Sequence, residues 1–180
     1  MALHRLKCRP MPEPTPPDPS LGELKRLPPL LRRAWYSLNQ AFRQRTAHLR
    51  LTPDQFSILR WLSEGNPAGM TQRQITALMA SDPNTITSTI TRMEKAGLLA
   101  RHPHESDRRA HRVKLLPKGK RTFVSAKRIA VDLQNQILSI LPEERRDGFL
   151  RDLEAIAGGC AAALEQTLRA ADAGKSDPER

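Results

Sequence analysis

Cysteine is scarce in this sequence, with Cys8 and Cys160 the two present in 180 residues, which excludes a disulfide framework and a structural zinc site built on paired cysteines. A reducing cytoplasm is the expected compartment. Aromatics supply 4% of the chain and hydrophobic residues 38%, too little apolar material for a deep core of its own unless helices also bury surface against a second copy. Dimerisation is therefore expected. No apolar run approaches the ~20 residues that span a bilayer, and the N-terminal residues form no continuous apolar segment of the export type. A soluble protein with no membrane partner is expected. Also missing are a glycine-rich phosphate loop, a nucleophile elbow and an HExxH helix, so neither catalysis nor a cofactor is expected.

Positive charge is what the chain has in excess. Lys and Arg number 30 against 19 Asp and Glu, a formal +11 with a pI near 10.6, which points to a polyanionic partner, nucleic acid first. The charge is concentrated. Residues 71–121 hold eleven Lys or Arg against four Asp or Glu, carrying +7 of the total.

Prolines at 10, 12, 14, 16, 17 and 19, in PMPEPTPPDP, deny backbone donors, so residues 1–26 read as an extended N-terminal tail within which Met11 is an alternative start. Residues 169–180 mix Ala, Gly, Lys, Asp and Pro without apolar period and are expected to fray. Between the tails the period is helical. Leu27, Leu31, Ala34, Leu38 and Phe42 mark a first helix within residues 27–50; Thr52-Pro53 caps a second, with Phe56, Leu59 and Leu62 inward, ending near Gly65. Thr71 and Gln74 form a capping box for a third helix, ending near Ala80, whose Ile75, Leu78 and Met79 point inward. Asp82-Pro83 opens a fourth on Ile86, Ile90 and Met93, stopped by Gly97.

Leu98–His102 and Arg112–Leu116 read as two short strands around a loop at 103–111. A fifth helix is expected from Pro117 to about Leu141, with Phe123, Ala126, Ala130, Leu133, Ile137 and Ile140 on one side. A sixth follows from Glu143, its stripe formed by Leu150, Leu153, Ala157, Cys160 and Leu164. Gly158-Gly159 should kink it or mark a close helix approach.

Helix, tight turn, helix and a basic hairpin are the order of a winged helix-turn-helix, whose second helix enters the major groove. The fold class is mainly α with a small β-hairpin wing, a winged helix-turn-helix at residues 51–121 and helical dimerisation regions at 27–50 and 122–168. With Ile86, Ile90 and Met93 inward, Asn84, Ser88, Thr91 and Lys95 turn outward, flanked by Thr85, Thr87 and Arg92. The run TITSTIT is β-branched and a poor helix former, so a surface role selects it. Its hydroxyls and amides suit base edges and phosphates; an ordinary capped polar helix is the plain alternative. Thr71, Gln72, Arg73 and Lys95 are the expected phosphate contacts. In the wing loop HPHESDRRAHR, Arg108, Arg109 and Arg112 follow Asp107, which would orient Arg109 for a narrow minor groove.

LTPDQFSILRWL, TQRQITALMASDPNTITSTITRMEKAGLL and SDRRAHRVKLLPKGK together resemble the MarR family of winged-helix transcriptional regulators over Leu27–Leu168, with the family's Asp-x-Arg wing motif on Asp107 and Arg109. The resemblance implies a homodimer whose first, fifth and sixth helices interlock. Two reading heads would then sit one DNA turn apart on an imperfect palindrome of double-stranded DNA, ~34–36 Å between half-sites. It implies a repressor released by a small aromatic or phenolic effector, or in other members a cysteine-based response to oxidants. Leu116 departs from the Thr or Ser that often caps the fifth helix, and Ser88 stands where relatives often carry a longer basic side chain.

Trp35, Phe42, His48 and Trp61 are candidates for an effector cavity or, alternatively, for core. Cys8 is a candidate oxidant sensor, whereas Cys160 on the apolar stripe reads as a small buried hydrophobe. His102, His104 and His111 with Glu105 and Asp107 lack metal-site spacing and are expected to add pH-dependent charge beside phosphate; no metal is expected. A winged-helix module that binds protein instead of DNA is the rival reading, separated from DNA binding by a salt titration.

Overall fold

The computed structural model of the chain describes residues 26–103 and 111–175. Helix α1 spans Leu27–Arg45 and passes through one 3-10 turn, Ala47–Leu49, to α2, Pro53–Glu64. The start of α2 follows from local chemistry: the Thr52 hydroxyl accepts from the Gln55 N–H at 3.2 Å, the Gln55 side-chain Oε1 accepts from the Thr52 N–H at 3.0 Å, and Pro53 needs no donor. Strand β1, Met70–Thr71, leads into α3, Gln72–Met79; then come α4, Pro83–Lys95, and strands β2, Leu99–Pro103, and β3, His111–Leu115. Helices α5, Pro117–Leu138, and α6, Glu143–Lys175, complete the described chain.

The three strands form one antiparallel sheet in the order β1-β3-β2, with Arg101 opposite Val113 and Met70 also opposite Val113 on the other edge. Against this sheet, α2, α3 and α4 bury Ile58, Leu59, Ile75, Ile86, Ile90, Met93, Leu99 and Val113 completely or nearly so. Each such side chain contributes ~1.5–3 kcal/mol relative to exposure, so the cluster holds the helix-turn-helix to the sheet as one piece. A row of phenylalanines extends it. Phe42 and Phe56 have ring centroids 4.9 Å apart, and Phe56 and Phe123 5.9 Å, linking the end of α1 to α2 and α5.

By its contacts the chain divides into two units, residues 1–41 and 42–180. The division falls inside α1, just before the anchored Phe42, and α5 runs unbroken from Pro117 to Leu138.

Several expectations change. The wing contains the expected β2–β3 hairpin, and the edge of β3 also takes up the two residues before α3 as a third strand. Its longer strands begin and end one residue away from the predicted limits. Leu78 is exposed and Met79 half-buried, since an eight-residue helix turns only Ile75 fully inward. Helix α5 stops at Leu138, short of the expected end, and Ile137 within it and Ile140 beyond it are both exposed.

Helix α6 runs without a break through Gly158 and Gly159 and on to Lys175, beyond the expected end at 168. Surrounding alanines, the best helix formers, offset the ~1 kcal/mol cost of each glycine. No described atom comes within 4 Å of a methyl group placed at either glycine, so neither marks a close approach within the chain. Cys160 is exposed and not buried, because among the described residues nothing covers the stripe of α6 that carries it.

Candidate nucleic-acid interface

The helix-turn-helix is set by two caps. Thr71 accepts from the Gln74 N–H at 3.2 Å while the Gln74 side chain accepts from the Thr71 N–H at 2.8 Å, starting α3. Ala80, in the left-handed region at φ 45°, turns the chain out of α3, and Asp82 accepts from the Thr85 N–H at 2.8 Å to start α4. Hydrogen bonds from Thr85, its hydroxyl foremost and its backbone N–H next, hold the Asp82 carboxyl below the usual carboxylate range. At the far end Gly97, at φ 70°, lets the Leu98 N–H reach the Met93 carbonyl and its own N–H reach Glu94, closing α4 with both carbonyls satisfied.

These caps fix the rotation of α4. Ile86, Thr89, Ile90 and Met93 face inward, while Asn84, Thr85, Thr87, Ser88, Arg92 and Lys95 are exposed. The outer face is partly pre-bonded. Gln72 on α3 donates to the Thr87 hydroxyl, which itself donates to the Pro83 carbonyl at 2.7 Å. Ser88 donates to the Thr85 carbonyl at 3.2 Å, and Arg92 lies back along the helix, donating to the Ser88 carbonyl and to the Ser88 and Thr89 hydroxyls at 3.3 Å. Asn84, Arg73 and Lys95 are exposed and make no side-chain hydrogen bond with other described residues.

Two predicted contacts are committed inside the protein. Thr91 is half-buried and accepts from Arg101 Nη2 at 3.1 Å, because the flank of α4 that carries it lies toward β2. Arg112 is half-buried across the sheet, donating from Nη1 to the Gly69 carbonyl at 3.2 Å, and its buried Nε has no partner among the described residues. Thr71 and Gln72 are half-buried, one spent on the cap and the other on Thr87. Arg101, which sequence reasoning passed over, pairs with Glu94 through Nη1 and through its backbone N–H, the latter at 3.1 Å. Asp107, Arg108 and Arg109, with His104 and Glu105, lie outside the described residues; His102 and His111 beside them are exposed.

Behind the wing, Lys118 donates to the Ala96 carbonyl at 2.7 Å, and the Leu116 N–H donates to the Leu98 carbonyl at 3.0 Å, tying the start of α5 to the end of α4. Leu116 supplies no side-chain cap, as its hydrocarbon requires.

Residues 51–111 match the model of the MarR family. Over 130 residues the chain is 32% identical to the HTH-type transcriptional regulator PecS of Dickeya dadantii (strain 3937), covering 70% of this chain and 72% of that one. The chain belongs to the MarR family. It is thereby a transcriptional regulator of the winged-helix type. Among solved structures it is similar to the transcriptional repressor CouR bound to a 23-mer DNA duplex, with a TM-score of 0.69 and 32% identity over 76% of this chain and 96% of that one. It is also similar to CouR from Rhodococcus jostii RHA1 bound to p-coumaroyl-CoA, with a TM-score of 0.65 and 25% identity over 71% and 89%.

In this MarR-family chain the predicted aromatic candidates have different surroundings. Phe42 is core, stacked on Phe56. His48 is exposed, and Trp61 is 38% exposed on α2. Trp35 belongs to the first unit, where it is exposed on α1. Arg60, not singled out from the sequence, sits over the Phe56 ring at 5.1 Å with its Nε buried and unpartnered. A cation four residues after a buried aromatic on one helix face was the available signal. Cys8 lies outside the described residues. Among the described residues no three His, Cys, Asp or Glu side chains gather in a metal-binding group, and no helix is long and apolar enough to cross a membrane.

Proposed function

We propose that the chain is a homodimeric, cytoplasmic repressor that reads a palindromic operator in double-stranded DNA, with α4 in the major groove and the wing in the adjoining minor groove. The observation that carries this reading is the outer face of α4, which presents Asn84, Thr85, Ser88 and Lys95 to solvent while Ile86, Ile90 and Met93 root the helix in the core. Asn84 pairs with a base edge, and Arg73 and Lys95 take phosphates. In the wing, Arg109, oriented by Asp107, enters the minor groove, with Arg108 beside it. CouR, a transcriptional repressor 32% identical to this chain, is solved bound to a 23-mer DNA duplex, which supports duplex DNA as the partner.

Residues 51–121 form the reading head, and 27–50 with 122–168 the dimer contacts. Leu150, Leu153, Ile156, Leu164 and Leu168 on α6, and separately Leu30, Leu31 and Leu38 on α1, are each at least 36% exposed. Such apolar stripes need cover in water, and a second copy supplies it. A small aromatic effector releases the operator. The p-coumaroyl-CoA complexes of CouR support this class.

The test is equilibrium binding to a duplex that the protein enriches from a randomised pool, measured by fluorescence anisotropy against salt. Sequence-specific binding with a log–log salt slope of about −0.9 per phosphate neutralised is expected. Failure to enrich any sequence would refute the reading. Adding an aromatic acid or its thioester should release the duplex and quench Trp35 or Trp61.

A further inference from the structure

We propose that Arg101 is a positioning residue that locks the root of the wing to the reading helix, so that both elements meet DNA in one fixed register. This inference rests on the DNA-binding reading above. Three hydrogen bonds converge on it: Arg101 Nη1 donates to Glu94 Oε2, the Arg101 backbone N–H donates to Glu94 Oε1 at 3.1 Å, and Arg101 Nη2 donates to the Thr91 hydroxyl at 3.1 Å. Glu94 and Thr91 lie on one flank of α4, and Arg101 lies on β2, two residues before that strand ends at Pro103.

The pair is only partly open to water, with the Arg101 side chain 24% and the Glu94 side chain 35% exposed. A fully solvated pair would add almost nothing, but one that binds main chain and hydroxyl together fixes geometry as well as charge. The buried Ile90 and Met93 of α4 and Leu99 of β2, with the short turn at Ala96–Leu98, also join the two elements. The buried apolar packing holds the two elements together, and the forked guanidinium adds a directional restraint at the root of the wing. The wing therefore takes its angle from Arg101, and the guanidinium is held by Glu94 instead of being offered to phosphate.

The sign of one substitution separates this role from direct DNA binding. Glu94→Ala removes a negative charge beside the reading helix, which by electrostatics alone strengthens DNA binding. Positioning predicts the reverse: a loss of about tenfold in affinity for the enriched duplex, within the range for one misplaced specific interaction. Arg101→Ala should lose the same factor, and the double variant no more than either single one, because the three share one interaction. Arg101→Lys, which keeps the charge but not the fork, should rescue little.

The measurement is anisotropy on two duplexes, the enriched sequence and a mixed-sequence control, with thermal melts of each variant alongside. Specific affinity should fall while control binding and cooperative unfolding persist. Tighter specific binding by Glu94→Ala, unchanged specific binding by Arg101→Ala, or an equal fall on both duplexes in step with lost melting temperature overturns the proposal. A parent protein that enriches no sequence overturns the DNA-binding reading itself, and this role with it.

Discussion

Gly119→Ala places a methyl group where the chain has no room for one. Its carbon would lie 2.0 Å from the Leu98 carbonyl oxygen and 2.9 Å from the carbonyl carbon, both backbone atoms. Nonbonded carbons rest near ~3.5 Å, so α5 must retreat by roughly 1 Å. That retreat breaks the bond from the Leu116 N–H to the same carbonyl, 3.0 Å long, and loosens Lys118 on Ala96. Overpacking costs ~1–3 kcal/mol and an unsatisfied buried pair another ~1–3 kcal/mol. Against this, alanine gains ~1 kcal/mol in a helix. The net is destabilisation of about 3 kcal/mol, or roughly 6–12 °C in melting temperature for a chain of this size. Urea and thermal unfolding followed by circular dichroism at fixed protein concentration read it directly. Gly158→Ala is the matched control, since a methyl there meets no described atom within 4 Å. A Gly119→Ala protein as stable as its parent would falsify the close approach of α5 to Leu98.

Lys95→Ala should reduce the salt slope of DNA binding by about 0.9 for each phosphate that the side chain no longer neutralises, on specific and control duplexes alike; an unchanged slope removes Lys95 from the interface. Asn84→Ala should leave the slope alone and relax preference at one base pair by ~1–3 kcal/mol, and a uniform loss across sequences would contradict base reading. Asp82→Ala should destabilise the protein near neutral pH. The native carboxyl titrates below its unfolded value near 3.9, so its contribution is complete above that value and fades as pH falls through the folded one. The gap between parent and variant should therefore narrow below about pH 4, and a gap that stays constant from pH 7 to pH 3 counts against the cap.

What the sequence made legible was chiefly local. Thr52-Pro53, Thr71 with Gln74, Asp82-Pro83 and Gly97 each act on backbone groups within a few residues, and all four behave as their chemistry dictates. The rotation of α4 about Ile86, Ile90 and Met93 correctly exposes Asn84, Ser88 and Lys95. It fails at Thr91, because a helical wheel does not reveal that β2 folds back and brings Arg101 to that flank. Strand β1 was hidden for a similar reason. Two residues have no period, and they are a strand only because β3 has an open edge. Arg112 reads as one more wing cation, yet its guanidinium is drawn onto Gly69, 43 positions away. On α6 the apolar stripe was legible, but among the described residues nothing covers it.

Hydroxyl-radical footprinting of the protein on its enriched duplex tests the central claim most directly. Two protected segments are expected, centred 10–10.5 base pairs or about 34–36 Å apart and related by a twofold axis, as a dimer with one α4 per half-site requires. A single protected patch, or protection that ignores sequence, would contradict it.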